Sequence, residues 1–180
     1  SAFLLGKICK EAGLPDGVLN IIHGTGPGCG EAIVKHKDIK AISFTGSTRA
    51  GERIASIAAP MFKKLSLELG GKNPNIIFAD CNWEKMMQVT MRSSFSNQGQ
   101  ICLCGSRILI ESSVYEKFKT EFVERTKKLS VGDPLNDTSR QGAVVSKMHF
   151  DKVMNCIETA RREGGTVLCG GNAVKPEGRC

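Results

Sequence analysis

A carboxylate and a thiol stand in two glycine-containing segments that the sequence predicts to be loops. Glu68 ends an alternating apolar–polar run and precedes Leu69 and two glycines. Cys102 follows the polar, glycine-containing segment 97–100 and precedes a β-rich run. The segment between them is long enough for a strand and a helix. This arrangement suits covalent thiol catalysis, with Cys102 as the nucleophile and Glu68 as the base that activates water.

One reaction open to these two groups is the oxidation of an aldehyde. A thiolate needs local positive potential or backbone donors. Its attack on an aldehyde carbonyl gives a thiohemiacetal, which loses hydride to an oxidised nicotinamide, and the resulting thioester is hydrolysed by water activated by Glu68. Taken singly, Cys102 is more often an inert buried thiol and Glu68 a surface carboxylate. The two together, each beside a glycine turn, favour catalysis.

Cys104 is a rival nucleophile, and the pair Cys102-x-Cys104 is also compatible with a redox-active or soft-metal site. The chain has eight cysteines but no C-x-x-C pair, so we predict no zinc site. None of the three histidines lies in a motif. Reduced thiols and a cytoplasmic location are the expectation.

Two strand–turn–helix junctions are predicted near the N-terminus. The first joins a strand at 18–22 to a helix at 31–36 through the glycine-rich segment 24–30, and the second joins a strand at 39–44 to a helix at 49–58 through 45–48. The first turn suits a phosphate, although Cys29 breaks the G-x-G-x-x-G fingerprint and a purely structural turn is an equal alternative. Repeated junctions of this kind predict an α/β fold with a parallel sheet and a crevice at the carboxyl ends of its strands.

The remaining elements continue the α/β pattern. Further strands are predicted at 63–69, 75–78, 107–111 and 166–169, and further helices at 2–12, 83–95, 114–129 and 146–163. The methionines of the helix at 83–95 are interpreted as core residues.

Composition excludes several classes of protein. The net charge is +7, but Lys and Arg are scattered and there is one Trp and one Tyr, so a nucleic-acid partner is not expected. The sequence contains no apolar run of 18 residues, so no membrane span is predicted. The first residues lack the features of a signal peptide.

Three motifs resemble the signatures of the NAD(P)-dependent aldehyde dehydrogenases: FTGST at 44–48, LELGGKNP at 67–74 and NQGQIC at 97–102. The resemblance runs through the whole chain in the family's order and includes GLPDGVLN at 13–20. It implies a Rossmann-like NAD-binding domain joined to an α/β catalytic domain, an aldehyde substrate, NAD with NADP as an alternative, and a homo-oligomer, dimer or tetramer.

The resemblance also implies roles for individual residues. Cys102 is the nucleophile, with its backbone N–H forming half of an oxyanion hole, and Glu68 is the general base. The implied cofactor-binding residues are Gly26, Gly30, Phe44, Gly46, Ser47, Leu69 and Gly70. Cys104 is not a catalytic position of the family.

Family members are longer on both sides of this region. The resemblance therefore implies an incomplete aldehyde dehydrogenase fold, with 1–68 as the end of the NAD-binding domain and 69–180 as the start of the catalytic domain. It further implies an internal fragment that is inactive alone. Two alternatives stay open: an acylating enzyme that uses phosphate or coenzyme A as acceptor, and a non-catalytic, crystallin-like relative.

Overall fold

The computed structural model describes residues 2–175 in two compact units, one ending at Gly70 and one beginning at Gly71. Cys180 lies outside the described residues. The helices are α1 (Ala2–Glu11), α2 (Glu31–Lys35), α3 (Thr48–Ala58), α4 (Trp83–Phe95), α5 (Tyr115–Lys127) and α6 (Lys147–Arg162). The strands are β1 (Ala41–Thr45), β2 (Lys64–Glu68), β3 (Pro74–Ile77) and β4 (Arg107–Ile110).

In the first unit, β1 and β2 form the predicted parallel pair. Thr45 stands opposite Glu68, so both strands end at the same edge. The chain crosses from β1 to β2 through α3, whose N-cap is Ser47. In both strands half-buried residues alternate with exposed ones, and the half-buried residues are Ile42, Phe44, Leu65 and Leu67.

One expectation for the first unit is wrong. Residues 18–22 form no strand, and Val18 and Ile22 are 67% and 65% exposed. A strand needs a hydrogen-bonded neighbour, and within the described residues β1 pairs only with β2. The glycine-rich segment, predicted as a turn before a helix, contains a single π-helical turn at Gly26–Gly30 that runs directly into α2.

The second unit is built on the parallel pair β3 and β4, with Pro74 opposite Arg107. Its core is formed by Ile77, Met87 and Phe118. The helix α4 has the predicted bounds and begins at the N-cap Asn82. Met87 is fully buried, which confirms that methionine fills the core in this helix.

The strand predicted at 166–169 does not form either, and Leu168 is 52% exposed. The reason is again the lack of a neighbouring strand, since β3 and β4 pair only with each other among residues 2–175.

Within residues 2–175, no helix combines the length and the hydropathy needed to cross a membrane.

Candidate active site

The segment before Cys102 is a tight turn of unusual backbone conformation. The helix α4 ends at Phe95, and Asn97, Gln98 and Gly99 follow with φ values of 50°, 55° and 71°. Side-chain-bearing residues rarely adopt this left-handed region, so the turn needs support from its surroundings.

Gln141 supplies part of that support through its side-chain amide. Its Oε1 accepts a hydrogen bond from the Gln98 N–H at 3.0 Å, and its Nε2 donates to the Phe95 carbonyl at 2.7 Å. The backbone N–H of Gln141 donates to the Ser130 carbonyl at 3.0 Å. One amide therefore holds both ends of the turn that leads to Cys102. An open depression of about 460 Å³ lies beside this turn.

The two neighbouring thiols have opposite environments. Cys102 is exposed, whereas Cys104 is only 5% exposed. The carbonyls of both residues accept hydrogen bonds from the Asn73 Nδ2, at 2.6 Å and 3.1 Å respectively. Of these two thiols, Cys102 is therefore the one that a substrate can reach, and Cys104 belongs to the packed interior of the unit.

Glu68 is the last residue of β2 in the first unit, and its side chain is exposed. Its backbone carbonyl accepts a hydrogen bond from the Gly46 N–H at 3.0 Å, which joins the turn after β1 to the end of β2. The carboxylate thus stands at the carboxyl end of a parallel strand pair, where open α/β sheets place their functional groups.

Several predicted cofactor residues meet at this same edge. Ser47 Oγ accepts a hydrogen bond from the Ala50 N–H at 3.2 Å, which caps the N-terminus of α3. A Cβ atom added at Gly46 would lie 2.4 Å from the Phe44 ring, so the ring needs a glycine here. A Cβ at Gly51 would lie 2.5 Å from Leu69, which shows that Leu69 packs directly on α3.

Gly26 and Gly30 begin and end the π-helical turn before α2. Thr25 Oγ1 caps this turn by accepting a hydrogen bond from the Gly28 N–H at 3.2 Å. Glu31 then joins α2 to α3 through Arg53, with an N–O distance of 2.9 Å. Hydrogen bonds from Arg53 and then from Lys35 lower the pKa of the Glu31 carboxyl to about 2.

The first unit thus brings together a set of predicted site residues at one sheet edge: Phe44, Gly46, Ser47, Glu68, Leu69 and Gly70. Cys102 belongs to the second unit. Among the described residues, no three His, Cys, Asp or Glu side chains are grouped so that they could hold a metal ion.

Sequence reasoning gave no role to Asn73 or Gln141. Asn73 stands within the LELGGKNP motif, so the motif pointed to the right segment without naming its function. Gln141 had no comparable signal, because the groups it binds lie 43 and 46 residues away in the sequence.

Relatives in sequence are similar to this chain over nearly its whole length. The chain is 51% identical over 170 residues to 2-aminomuconic semialdehyde dehydrogenase of Mus musculus, and 50% identical to that of Homo sapiens. Each alignment covers 94% of this chain and 35% of the relative. The chain therefore spans about a third of the length of these curated relatives.

Solved structures show the same similarity in three dimensions. Betaine aldehyde dehydrogenase from Staphylococcus aureus, in complex with NAD+, superimposes with a TM-score of 0.93 at 34% identity, covering 97% of this chain and 34% of that one. HpcC from Thermus thermophilus gives a TM-score of 0.94 at 37% identity, with coverages of 97% and 34%. These likenesses identify the fold as an incomplete aldehyde dehydrogenase fold.

The model of the aldehyde dehydrogenase family matches residues 1–180, which is the whole of the sequence. This match explains both the motifs around Glu68 and Cys102 and the parallel strand pairs that position them. The chain belongs to the aldehyde dehydrogenase family.

Proposed function

We propose that the full-length protein containing this chain oxidises an aldehyde to a carboxylic acid with NAD as the hydride acceptor. The observation that carries the proposal is the exposed Cys102 thiol, which stands on a loop held at Gln98 and at its own carbonyl, beside a buried Cys104. Family membership supports the reaction type. In this reaction Cys102 is the nucleophile and Glu68 the general base.

In the first step, Cys102 Sγ, as the thiolate, forms a bond to the carbonyl carbon of the aldehyde, and the carbonyl oxygen takes the negative charge. The backbone N–H of Cys102 donates to this oxygen, and a fixed donor of this kind contributes about 3–4 kcal/mol to stabilising the transition state. The carbonyl forms again as the hydride leaves, which converts the thiohemiacetal into a thioester on Cys102.

In the second step, Glu68 removes a proton from a water molecule, and the water oxygen attacks the thioester carbon. The C–S bond breaks, the carboxylic acid is released and Cys102 returns as the thiolate. Because Glu68 is exposed at a strand end, its carboxylate can exchange the proton it has taken with solvent.

NAD, when bound, supplies the acceptor for the hydride. The first unit fits a dinucleotide: the parallel strands β1 and β2 end together, α3 starts at that edge, and Gly46 brings bare backbone to it. The residues that we propose hold the cofactor are Gly26, Gly30, Phe44, Gly46, Ser47, Leu69 and Gly70. Complexes of structural relatives with NAD+ support NAD over NADP.

The first substrate to test is 2-aminomuconic semialdehyde, since the enzymes named for it share about half of their aligned residues with this chain. Betaine aldehyde and octanal are useful comparators, because related enzymes are named for the first or were crystallised with the second. The expected order is a higher kcat/KM for the semialdehyde than for the other two.

The test of the nucleophile compares two single substitutions in the full-length protein. Cys102→Ala should lower NADH formation by at least about 10³-fold, as removal of a covalent nucleophile does in other enzymes. Cys104→Ala is the matched control, because it removes a thiol two residues away that is buried, and it should retain turnover. Equal activities of the two variants would contradict the proposal.

The test of the base uses Glu68→Gln. Without a base to activate water, the first turnover should still produce NADH in proportion to the enzyme, and the thioester on Cys102 should then accumulate. Rapid-mixing kinetics and the mass of the acylated protein measure this. If phosphate or coenzyme A is needed for steady turnover of the unsubstituted protein, the acceptor is not water and the acylating alternative holds.

A further inference from the structure

The loop that contains Cys102 and Cys104 is called the thiol loop below. The backbone carbonyls of these two residues accept hydrogen bonds from a single side chain. Asn73 Nδ2 lies 2.6 Å from the carbonyl oxygen of Cys102 and 3.1 Å from that of Cys104. A primary amide nitrogen carries two N–H donors, so these two carbonyls use both of them. The side chain of Asn73 therefore spans the loop from the nucleophile's own residue to the buried thiol.

Asn73 is itself held at the edge of the β3–β4 pair. Its backbone carbonyl accepts a hydrogen bond from the Arg107 N–H at 3.2 Å, and the Lys72 carbonyl accepts one from Arg107 Nε at 2.9 Å. Pro74, the next residue, begins β3 opposite Arg107. The amide thus projects from paired backbone, which makes it a firm support for the loop that it contacts.

The same segment is shaped around the Cys102 carbonyl on a second side. A Cβ atom at Gly71 would lie 2.4 Å from that oxygen, closer than any side chain can come. Both residues therefore lie against the carbonyl group of Cys102. Gly71 leaves space for it, and Asn73 donates a hydrogen bond to it. This convergence on the peptide group of the proposed nucleophile is the basis of the inference.

We propose that Asn73 is a positioning residue for Cys102: its amide fixes the peptide plane after Cys102 and thereby the direction in which the thiol points. The inference rests on the proposed function of Cys102. A misplacement of about 1 Å of a reacting group can cost about 10²-fold in rate. The amide acts through the backbone and does not contact the reacting atoms.

The decisive variant is Asn73→Asp in the full-length protein. Aspartate has nearly the same size, but its carboxylate only accepts hydrogen bonds and would face two carbonyl oxygens. We expect kcat to fall at least about tenfold while KM for the aldehyde changes little. The reason is that the substitution alters the thiol loop and leaves the contacts with the substrate unchanged. Asn73→Ala removes the donors without adding charge and should lower kcat in the same direction.

Asn75→Asp is the matched control. Asn75 lies two residues further along, in β3, and its Nδ2 donates to Thr90 Oγ1 at 3.1 Å, which is not part of the thiol loop. The hydroxyl of Thr90 can donate to an aspartate instead, so this variant should keep the kcat of the unsubstituted protein. Equal losses of kcat in Asn73→Asp and Asn75→Asp, or an unchanged kcat in Asn73→Asp, would overturn the proposal.

A second readout does not require turnover. Iodoacetamide should alkylate Cys102 faster than Cys156, an exposed thiol on α6, and Asn73→Ala should bring the rate of Cys102 towards that of Cys156. Peptide mass spectrometry measures both rates in one sample. An unchanged rate ratio in Asn73→Ala would overturn the positioning role, whereas absent NADH formation by the unsubstituted protein would count against the proposed function alone.

Discussion

At the scale of single residues, the space around Cys102 depends on the absence of a side chain at position 71. The carbonyl oxygen of Cys102 lies only 2.4 Å from the place where a Cβ atom of residue 71 would stand. Since backbone is on the other side of this contact, no rotamer change can relieve it. Gly71 is therefore required by packing, independently of any role in catalysis.

Gly71→Ala should lower the free energy of unfolding by about 1–3 kcal/mol, the usual cost of overpacking. Gly70→Ala is the control, because its Cβ would lie 3.6 Å from Thr48 Oγ1, an ordinary contact. Thermal unfolding of the two full-length variants measures the difference. A Gly71→Ala midpoint that equals or exceeds that of Gly70→Ala would show that the loop gives way without cost.

At the scale of elements, α2 depends on its neighbours because five residues are too few for a helix to be stable alone. At its C-terminus, Lys63 Nζ donates to the carbonyls of Val34 and His36, both at 2.6 Å. At its N-terminus, Glu31 pairs with Arg53 of α3. The π-helical turn that contains Gly26 and Gly30 is thus anchored to α3 through Glu31.

The Glu31–Arg53 pair gives a pH dependence with a definite sign. The pKa of Glu31 is lowered from 4.5 to about 2, so its contribution to stability is present above pH 4.5 and is lost as the pH falls towards about 2. Arg53→Gln should raise this pKa part of the way towards 4.5 and weaken the contribution, because Lys35 still pairs with Glu31 at 2.6 Å. The effect should be small and should shrink with salt, because the pair is exposed.

Thermal unfolding across this pH range measures the effect, with Lys37→Gln as the control. The substitution Lys37→Gln removes the same charge, but Lys37 pairs with Asp38 at 3.0 Å and not with Glu31. The difference in midpoint between Arg53→Gln and the unsubstituted protein should narrow as the pH falls. A constant difference over the whole range would mean that Glu31 does not titrate with the lowered pKa.

At the scale of the whole molecule, the chain spans 35% of the length of the relatives it matches. Cys102 and Glu68 are both present in that third, as are the residues proposed to hold NAD. The assignment of 1–68 to NAD binding and of 69–180 to catalysis stays a prediction, as do the homo-oligomer and the cytoplasmic location.

The 180-residue polypeptide alone should therefore form no NADH from an aldehyde, while the full-length protein should. The physical reason is that this polypeptide spans only about a third of the length of the related enzymes. Spectrophotometric assay of both polypeptides measures this. Turnover by the short polypeptide that Cys102→Ala abolishes would contradict the expectation.

The sequence alone determined the elements whose signals are local. The helix α4 has the predicted bounds because Asn82 caps it and its apolar face is regular, and β1 and β2 pair in parallel as the strand–turn–helix pattern predicts. The strands predicted at 18–22 and 166–169 failed for a non-local reason. Pairing depends on a neighbouring strand, and an apolar run by itself cannot show whether one is there.

The candidate site likewise has features that the sequence alone predicts and features that only the tertiary structure shows. Residue type and spacing made Cys102 and Glu68 the candidate catalytic residues, because the reactivity of a thiol and a carboxylate is a property of the side chains themselves. Only the tertiary structure revealed that Cys102 is exposed and Cys104 buried, and that Asn73 and Gln141 hold the loop. Those contacts join residues 29 to 46 positions apart, and hydrogen bonds across such distances form only once the chain has folded.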